Sequence, residues 1–271
     1  MNYFKTSISY YFKNFWFLML FAVVPAVFVG LLLQPFRFIE FLFNYPFLDL
    51  AGFPDFFFGI VPFDWVTILL SVLGTFLIAV FMSMLLGKIE AHFRIGKKGL
   101  SFKDNTFNNN FASVVLVVFI IAICYFVIAI LSALFVMLFD FIFAKHGLVV
   151  ISTILNYVIG FFALAIISCI TTYFGVVASD MMIMGSNFRV AMSSASQAIN
   201  KNTWQNLFVG LIPFLISAIL SIFGTWLNIL WLTNIISMLL ILPFMCVLVM
   251  IIFFNHYGIT RYDTRPYYNL K

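Results

Sequence analysis

Lys13-Asn14-Phe15-Trp16 is followed by Pro25, nine residues after its Trp, and Lys201-Asn202-Thr203-Trp204 is followed by Pro213 at the same distance. Each motif opens an uncharged apolar run, 17–33 in the first copy and 205–226 in the second. A cation, an amide and an indole ahead of an apolar helix make a membrane-interface anchor. The Lys reaches the headgroups and the amphipathic ring sits at their depth. A Pro inside such a helix kinks it where neighbouring helices can satisfy the freed carbonyls. Lys13, Trp16, Lys201 and Trp204 are therefore expected as interface anchors, and two distant segments are expected to enter a bilayer from the same side.

Composition agrees with this reading. The chain of 271 residues is 65% hydrophobic and 8% charged, with a mean hydropathy of +1.15; soluble domains carry roughly 25% charged residues. The apolar runs are long and continuous, whereas the strands of a membrane barrel alternate polar and apolar residues over about ten positions. The expected fold is an all-α polytopic membrane protein, a single transmembrane domain over 1–271. Cys124, Cys169 and Cys246 fall inside apolar runs without CxxC spacing, which gives neither a disulfide framework nor a metal site. The N-terminus has a basic region followed by a run of span length, so the first apolar run reads as a retained helix rather than a cleaved signal.

Six spans are expected, at about 15–33, 65–87, 111–139, 148–179, 204–224 and 233–255, since about 20 apolar residues at 1.5 Å each cross a hydrocarbon core. Ahead of the first, Tyr3, Phe4, Ile8, Tyr11 and Phe12 recur at helical intervals, as in a short amphipathic helix lying on the membrane. Residues 34–64 hold four prolines, many Phe and four acids against Arg37. Two readings of that connection stand: an aromatic belt capping the bundle, or an acidic vestibule that attracts a cation. Residues 188–199 place Phe188, Ala191, Met192, Ala195 and Ile199 opposite Arg189, Ser193, Ser196 and Gln197, the pattern of an amphipathic interfacial helix. The turn between the last two spans is expected near 224–233.

Six spans put twelve of the 14 Lys and Arg residues on one side and only Arg37 and Lys145 on the other. The positive-inside rule then places both termini in the cytoplasm. Six spans with both ends inside form three hairpins. The first and third share Lys-Asn-x-Trp and the Pro; the middle one offers only Asn109-Asn110 before its first span. Spans two, four and six carry related tetrads near their ends: His92-Phe93-Arg94-Ile95, Tyr173-Phe174-Gly175-Val176 and His256-Tyr257-Gly258-Ile259.

The order of an Ala- and Ser-rich inner helix at 188–199, then Lys201-Asn202-Thr203-Trp204, then Pro213 resembles the six-helix membrane domain fused to some bacterial glycerophosphodiester phosphodiesterases, and its stand-alone relatives. The resemblance is close over 186–215 and loose over the six spans. It implies a bundle in the bacterial cytoplasmic membrane. That family's phosphodiesterase site belongs to a separate soluble barrel, so the resemblance implies no catalytic residue here.

Residues fit for chemistry are sparse. There is no H-E-x-x-H, G-x-S-x-G or Walker loop, and no acidic pair on a helix face. No span centre carries a charge, each of which costs about 2.5–3.5 kcal/mol there. Asn156 and Gln205 are the remaining polar candidates. His92 and His256 end different spans on the same side and could meet; His146 lies on the other side. The firmest lead is the basic segment Lys88, Arg94, Lys97, Lys98 and Lys103. Each cation gains about 1 kcal/mol near an anionic leaflet, although topology alone would also select such residues. The expectation is a non-enzymatic bacterial integral membrane protein with a lipid-binding or envelope-support role. Its partners would be membrane lipids, anionic ones at the cytoplasmic face, or a protein docking there, and not nucleic acid; no cofactor or metal is expected. The alternative is the membrane-spanning permease subunit of a transporter driven by a separate ATPase.

Overall fold

The computed structural model describes residues 3–32, 64–96 and 106–263. Every regular element among them is helical: α1 (Tyr3–Lys13), α2 (Phe15–Leu32), α3 (Trp65–Ile95), α4 (Thr106–Phe143), a 3-10 turn (Ala144–His146), α5 (Val149–Met184), α6 (Phe188–Asn200), α7 (Thr203–Trp226) and α8 (Leu230–His256). Five of these, α3, α4, α5, α7 and α8, are long and apolar enough to cross a membrane. A sixth crossing arises if α1 and α2, bent by 84° at Asn14, count as one broken span. The protein is thus a helical multi-pass membrane bundle. The connection 34–64 lies outside the described residues except for Asp64, which caps α3 by accepting from Thr67 N–H at 3.2 Å.

Several helices overrun the expected spans. α3 continues eight residues past 87, and α4 begins at Thr106, so Asn109 and Asn110 lie inside it. α5 runs on to Met184 and stops at Gly185, which is left-handed (φ 66°). The tetrad at 173–176 is therefore mid-helix rather than at a span end. Gly175 serves there as a packing glycine: a Cβ on it would stand 2.6 Å from Val249 Cγ1 of α8. The turn between α7 and α8 shrinks to residues 227–229. Asn228 adopts φ 55°, and Ile229 N–H and Asn228 N–H reach back to Gly224 and Thr225 carbonyls at 2.9 and 3.3 Å, the Schellman pattern that satisfies the last carbonyls of a helix. Gly224 and Thr233, expected in that turn, instead face each other across the α7–α8 contact.

The centre of the bundle is α8, which packs against α1, α2, α3, α5, α6 and α7. Of its most apolar stretch 78% is buried, against 22% for α4 and 28% for α3. Small residues on the surrounding helices let it sit close. A Cβ on Gly30 of α2 would stand 2.8 Å from Ile235 of α8, and Gly210 serves the same purpose between α7 and α5, where a Cβ would stand 2.6 Å from Thr172. Membrane helices associate through such close backbone approach, because lipid tails are as apolar as the side chains they would leave. Thr233, Asn234 and Ser237 of α8 are buried among these contacts, and neither amide atom of Asn234 has a hydrogen-bond partner.

The two ends of the bundle differ in charge. Lys13, Lys88, Arg94, Arg189, Lys201 and Arg261 gather at one, called here the basic end; Lys145 lies at the other. All five tryptophans sit at or near helix ends and are exposed. Trp16 (85% exposed) and Trp204 (76%) ring the basic end, where Lys13 and Lys201 also point outward. Trp65, Trp226 and Trp231 ring the opposite end. Two such girdles fit the two interfaces of a bilayer.

Candidate functional site

At the basic end the helix termini are stitched together by side chains from segments far apart in sequence. α1 lies across this end with Tyr3, Ser7, Tyr10 and Tyr11 against the bundle and Phe4 and Phe12 outward. The tyrosines therefore serve the protein side, not the membrane side expected for Tyr3 and Tyr11. The Tyr3 hydroxyl accepts from Asn202 Nδ2 at 3.4 Å and from Asn255 Nδ2, tying α1 to the start of α7 and the end of α8.

Two junctions follow from the paired Lys-Asn-x-Trp motifs. In the first, between α1 and the end of α3, the Tyr10 hydroxyl lies 2.7 Å from His92 Nδ1. Phe93 packs edge-on against Tyr10 and Phe254, with centroids at 4.9 and 5.3 Å. Arg261 lies 4.0 Å over the Phe93 ring and makes a two-bond ion pair with Asp263 at 3.1 and 2.7 Å, while Tyr262 N–H donates to the Phe93 carbonyl at 2.8 Å. This junction is a closed aromatic lock.

In the second, between α6 and the end of α8, the partners are polar and the space stays open. α6 turns Ala191, Ala195, Ala198 and Ile199 inward; such small side chains let it lie tightly on α5, where Tyr173 OH donates to the Met192 carbonyl at 3.0 Å. Asp180, fully buried near the end of α5, accepts from Tyr257 OH at 2.7 Å and from Ser186 Oγ at 3.0 Å. With the Tyr257 proton spent on Asp180, the Ser194 hydroxyl 2.8 Å away donates to Tyr257. Burial, with the carboxyl of Asp180 beyond it, pushes the Tyr257 phenol up, and the Ser194 bond only partly offsets this. The chain Ser194–Tyr257–Asp180 fixes the two walls of a groove of about 430 Å³. Arg189, Ser193, Ser194 and Gln197 line one wall, His256 and Tyr257 the other, and Val190 forms an apolar lip. Among the described residues no carboxylate lines it.

The residues expected from sequence separate accordingly. Lys88 lies on the buried face of α3 with Leu85, Ile89 and His92 and is only 6% exposed, because the helix continues through it. It faces protein rather than headgroups. Arg94 remains half-exposed and pairs with Glu90 one turn back at 3.2 Å. Lys97, Lys98 and Lys103 lie outside the described residues. His92 and His256 do not share a site: the first is locked by Tyr10 and the second opens onto the groove. Asn156 is buried in α5 without a hydrogen-bond partner, away from the basic end. Among the described residues no group of three or more His, Cys, Asp or Glu could hold a metal ion. The polar face of α6 was legible as a helical stripe, but nothing local in the sequence pairs it with residues 256 and 257.

No family model, curated protein or solved structure matches this chain. These comparisons do not test the resemblance to the phosphodiesterase-associated membrane domain, close over 186–215 and loose over the six spans.

Proposed function

We propose that this protein is a non-enzymatic integral membrane protein that binds anionic lipid at its basic end, in the cytoplasmic membrane of a bacterium with that end facing the cytoplasm. One observation carries the reading. The basic end, where Trp16 and Trp204 are exposed, holds an open groove lined by hydrogen-bonding groups and a cation. The distribution of Lys and Arg supports the orientation, and the likeness of residues 186–215 to a bacterial membrane domain supports the setting. Arg94, and the lysines at 97, 98 and 103, would add long-range attraction to the same leaflet, about 1 kcal/mol each near its surface.

The test is purification in gentle detergent followed by native mass spectrometry of all bound species. Retained anionic lipid without a stoichiometric protein partner is the expected result; a bundle that keeps only zwitterionic lipid sinks the reading. A second reading draws on the exposed side of α6, where Arg189, Val190, Ser193 and Gln197 face outward. Such a surface would suit a coupling contact in a permease subunit, and a co-purifying ATPase would decide for it.

A further inference from the structure

We infer that the groove between α6 and the end of α8 is a binding site for a singly charged phosphodiester, the headgroup linkage of an anionic phospholipid. This rests on the lipid-binding reading above and names the residues that would do the selecting.

The lining supplies what a phosphodiester needs. Arg189 offers a planar fork of N–H donors, the geometry that suits two phosphate oxygens at once, and pairs with no carboxylate among the described residues. Ser193 and Gln197 follow it at successive four-residue steps, so all three project from one face of α6. None of the three side chains hydrogen-bonds to another described residue, and His256 adds a ring nitrogen from the facing wall. Ser194 and Tyr257 are already committed to Asp180. They act as a braced wall, and the arrangement keeps Asp180 engaged by Tyr257 rather than lining the groove.

Charge decides between phosphate classes. Among the described residues the groove is lined by one permanent cation, which matches the single charge of a diester; a monoester near neutral pH carries up to two. Position decides between sources. α6 leads directly into α7, whose Trp204 is outward and stacked on Phe208 at 6.1 Å, so the groove lies at interface depth. Val190, 58% exposed beside Arg189, gives an apolar edge on the side where acyl chains would leave. The solvated face of an ordinary amphipathic helix would have cations and hydroxyls too. It would lack a facing wall braced through a buried carboxyl.

The experiment compares full-length wild type, Arg189→Gln, Arg189→Lys and Lys97→Glu/Lys98→Glu in detergent. Native mass spectrometry reads binding of phosphatidylglycerol and phosphatidylcholine, and a thermal-shift arm uses inorganic phosphate. Wild type is expected to prefer phosphatidylglycerol. Arg189→Gln should weaken that lipid about tenfold or more, the scale of one lost charge-assisted hydrogen bond, with Arg189→Lys between the two and all variants eluting as the same species. If wild type has no preference, the lipid-binding reading fails and takes this inference with it. A preference that survives Arg189→Gln but disappears in Lys97→Glu/Lys98→Glu overturns the groove alone. An Arg189-dependent thermal shift from inorganic phosphate, without phosphatidylglycerol preference, overturns the lipid as source.

Discussion

The two hairpins that begin with Lys-Asn-x-Trp are built alike and used differently. Each has an amphipathic helix, a break at Lys-Asn, a Pro-containing helix with an outward Trp and a longer returning helix: α1, α2 and α3 in one, α6, α7 and α8 in the other. In each, the amphipathic helix hydrogen-bonds to the end of the returning helix, Tyr10 to His92 and Ser194 to Tyr257. Yet α3 stands at the perimeter with 28% of its most apolar stretch buried, and α8 is the core with 78%. The first junction is sealed by rings, while the second opens as a polar groove. A local motif therefore sets how a helix starts; its neighbours set whether it becomes wall or centre.

The sharpest way to break the comparison is to overfill the centre. Gly30→Leu would drive a side chain into the backbone of Ile235, which cannot yield as a flexible chain end could. We expect a loss of about 3 kcal/mol, read as a fall in monodisperse protein and in thermal midpoint in detergent. Leu69→Ala on the exposed side of α3 should leave both almost unchanged. Equal effects would mean that α8 is not the core.

The junctions can be separated by deleting one hydroxyl from each. Tyr10→Phe and Tyr257→Phe should each cost about 1–3 kcal/mol, since each leaves a buried group short of a partner. Only Tyr257→Phe should also weaken phosphatidylglycerol binding, because only that hydroxyl braces the groove. If both variants change lipid binding alike, the distinction between lock and groove is lost.

The smallest effect concerns the opposite end. The Thr67 side chain and backbone N–H hold the Asp64 carboxyl below the usual carboxylate range, and Asp64 caps α3. A depressed pKa stabilises the folded state above about pH 4 and loses that contribution as the pH falls through the folded value. Asp64→Asn should therefore flatten the acid limb of the thermal midpoint while leaving the neutral midpoint nearly unchanged.

Much of this fold was legible because lipid imposes a simple rule: apolar runs of span length become helices. The described parts of the six expected spans fall within α2, α3, α4, α5, α7 and α8, apart from Leu148 at the edge of α5. The amphipathic stripe at 188–199 appears as α6. What sequence could not show is which helix lies inside. α4 is at least as apolar as α8, and a helix apolar all round suits lipid and protein neighbours equally. The role of Lys88 was hidden for a related reason. Basic residues after an apolar run look like a loop, and only the continuation of α3 turns this one inward. The groove was half visible, through Arg189, Ser193 and Gln197, while its other wall comes from residues more than fifty positions away.

The central place of α8 also has a consequence for biogenesis. Ribosomes deliver helices in order, and α1, α2, α3, α5, α6 and α7 all emerge before the helix they surround. Until α8 arrives, the close-packing faces at Gly30, Gly175 and Gly224 wait in the bilayer without their partner. A chain stalled before residue 230 would thus present an open slot, a ready target for an insertase or a surveillance protease. Assembly would be committed only when the last of these helices, polar residues first, closes it.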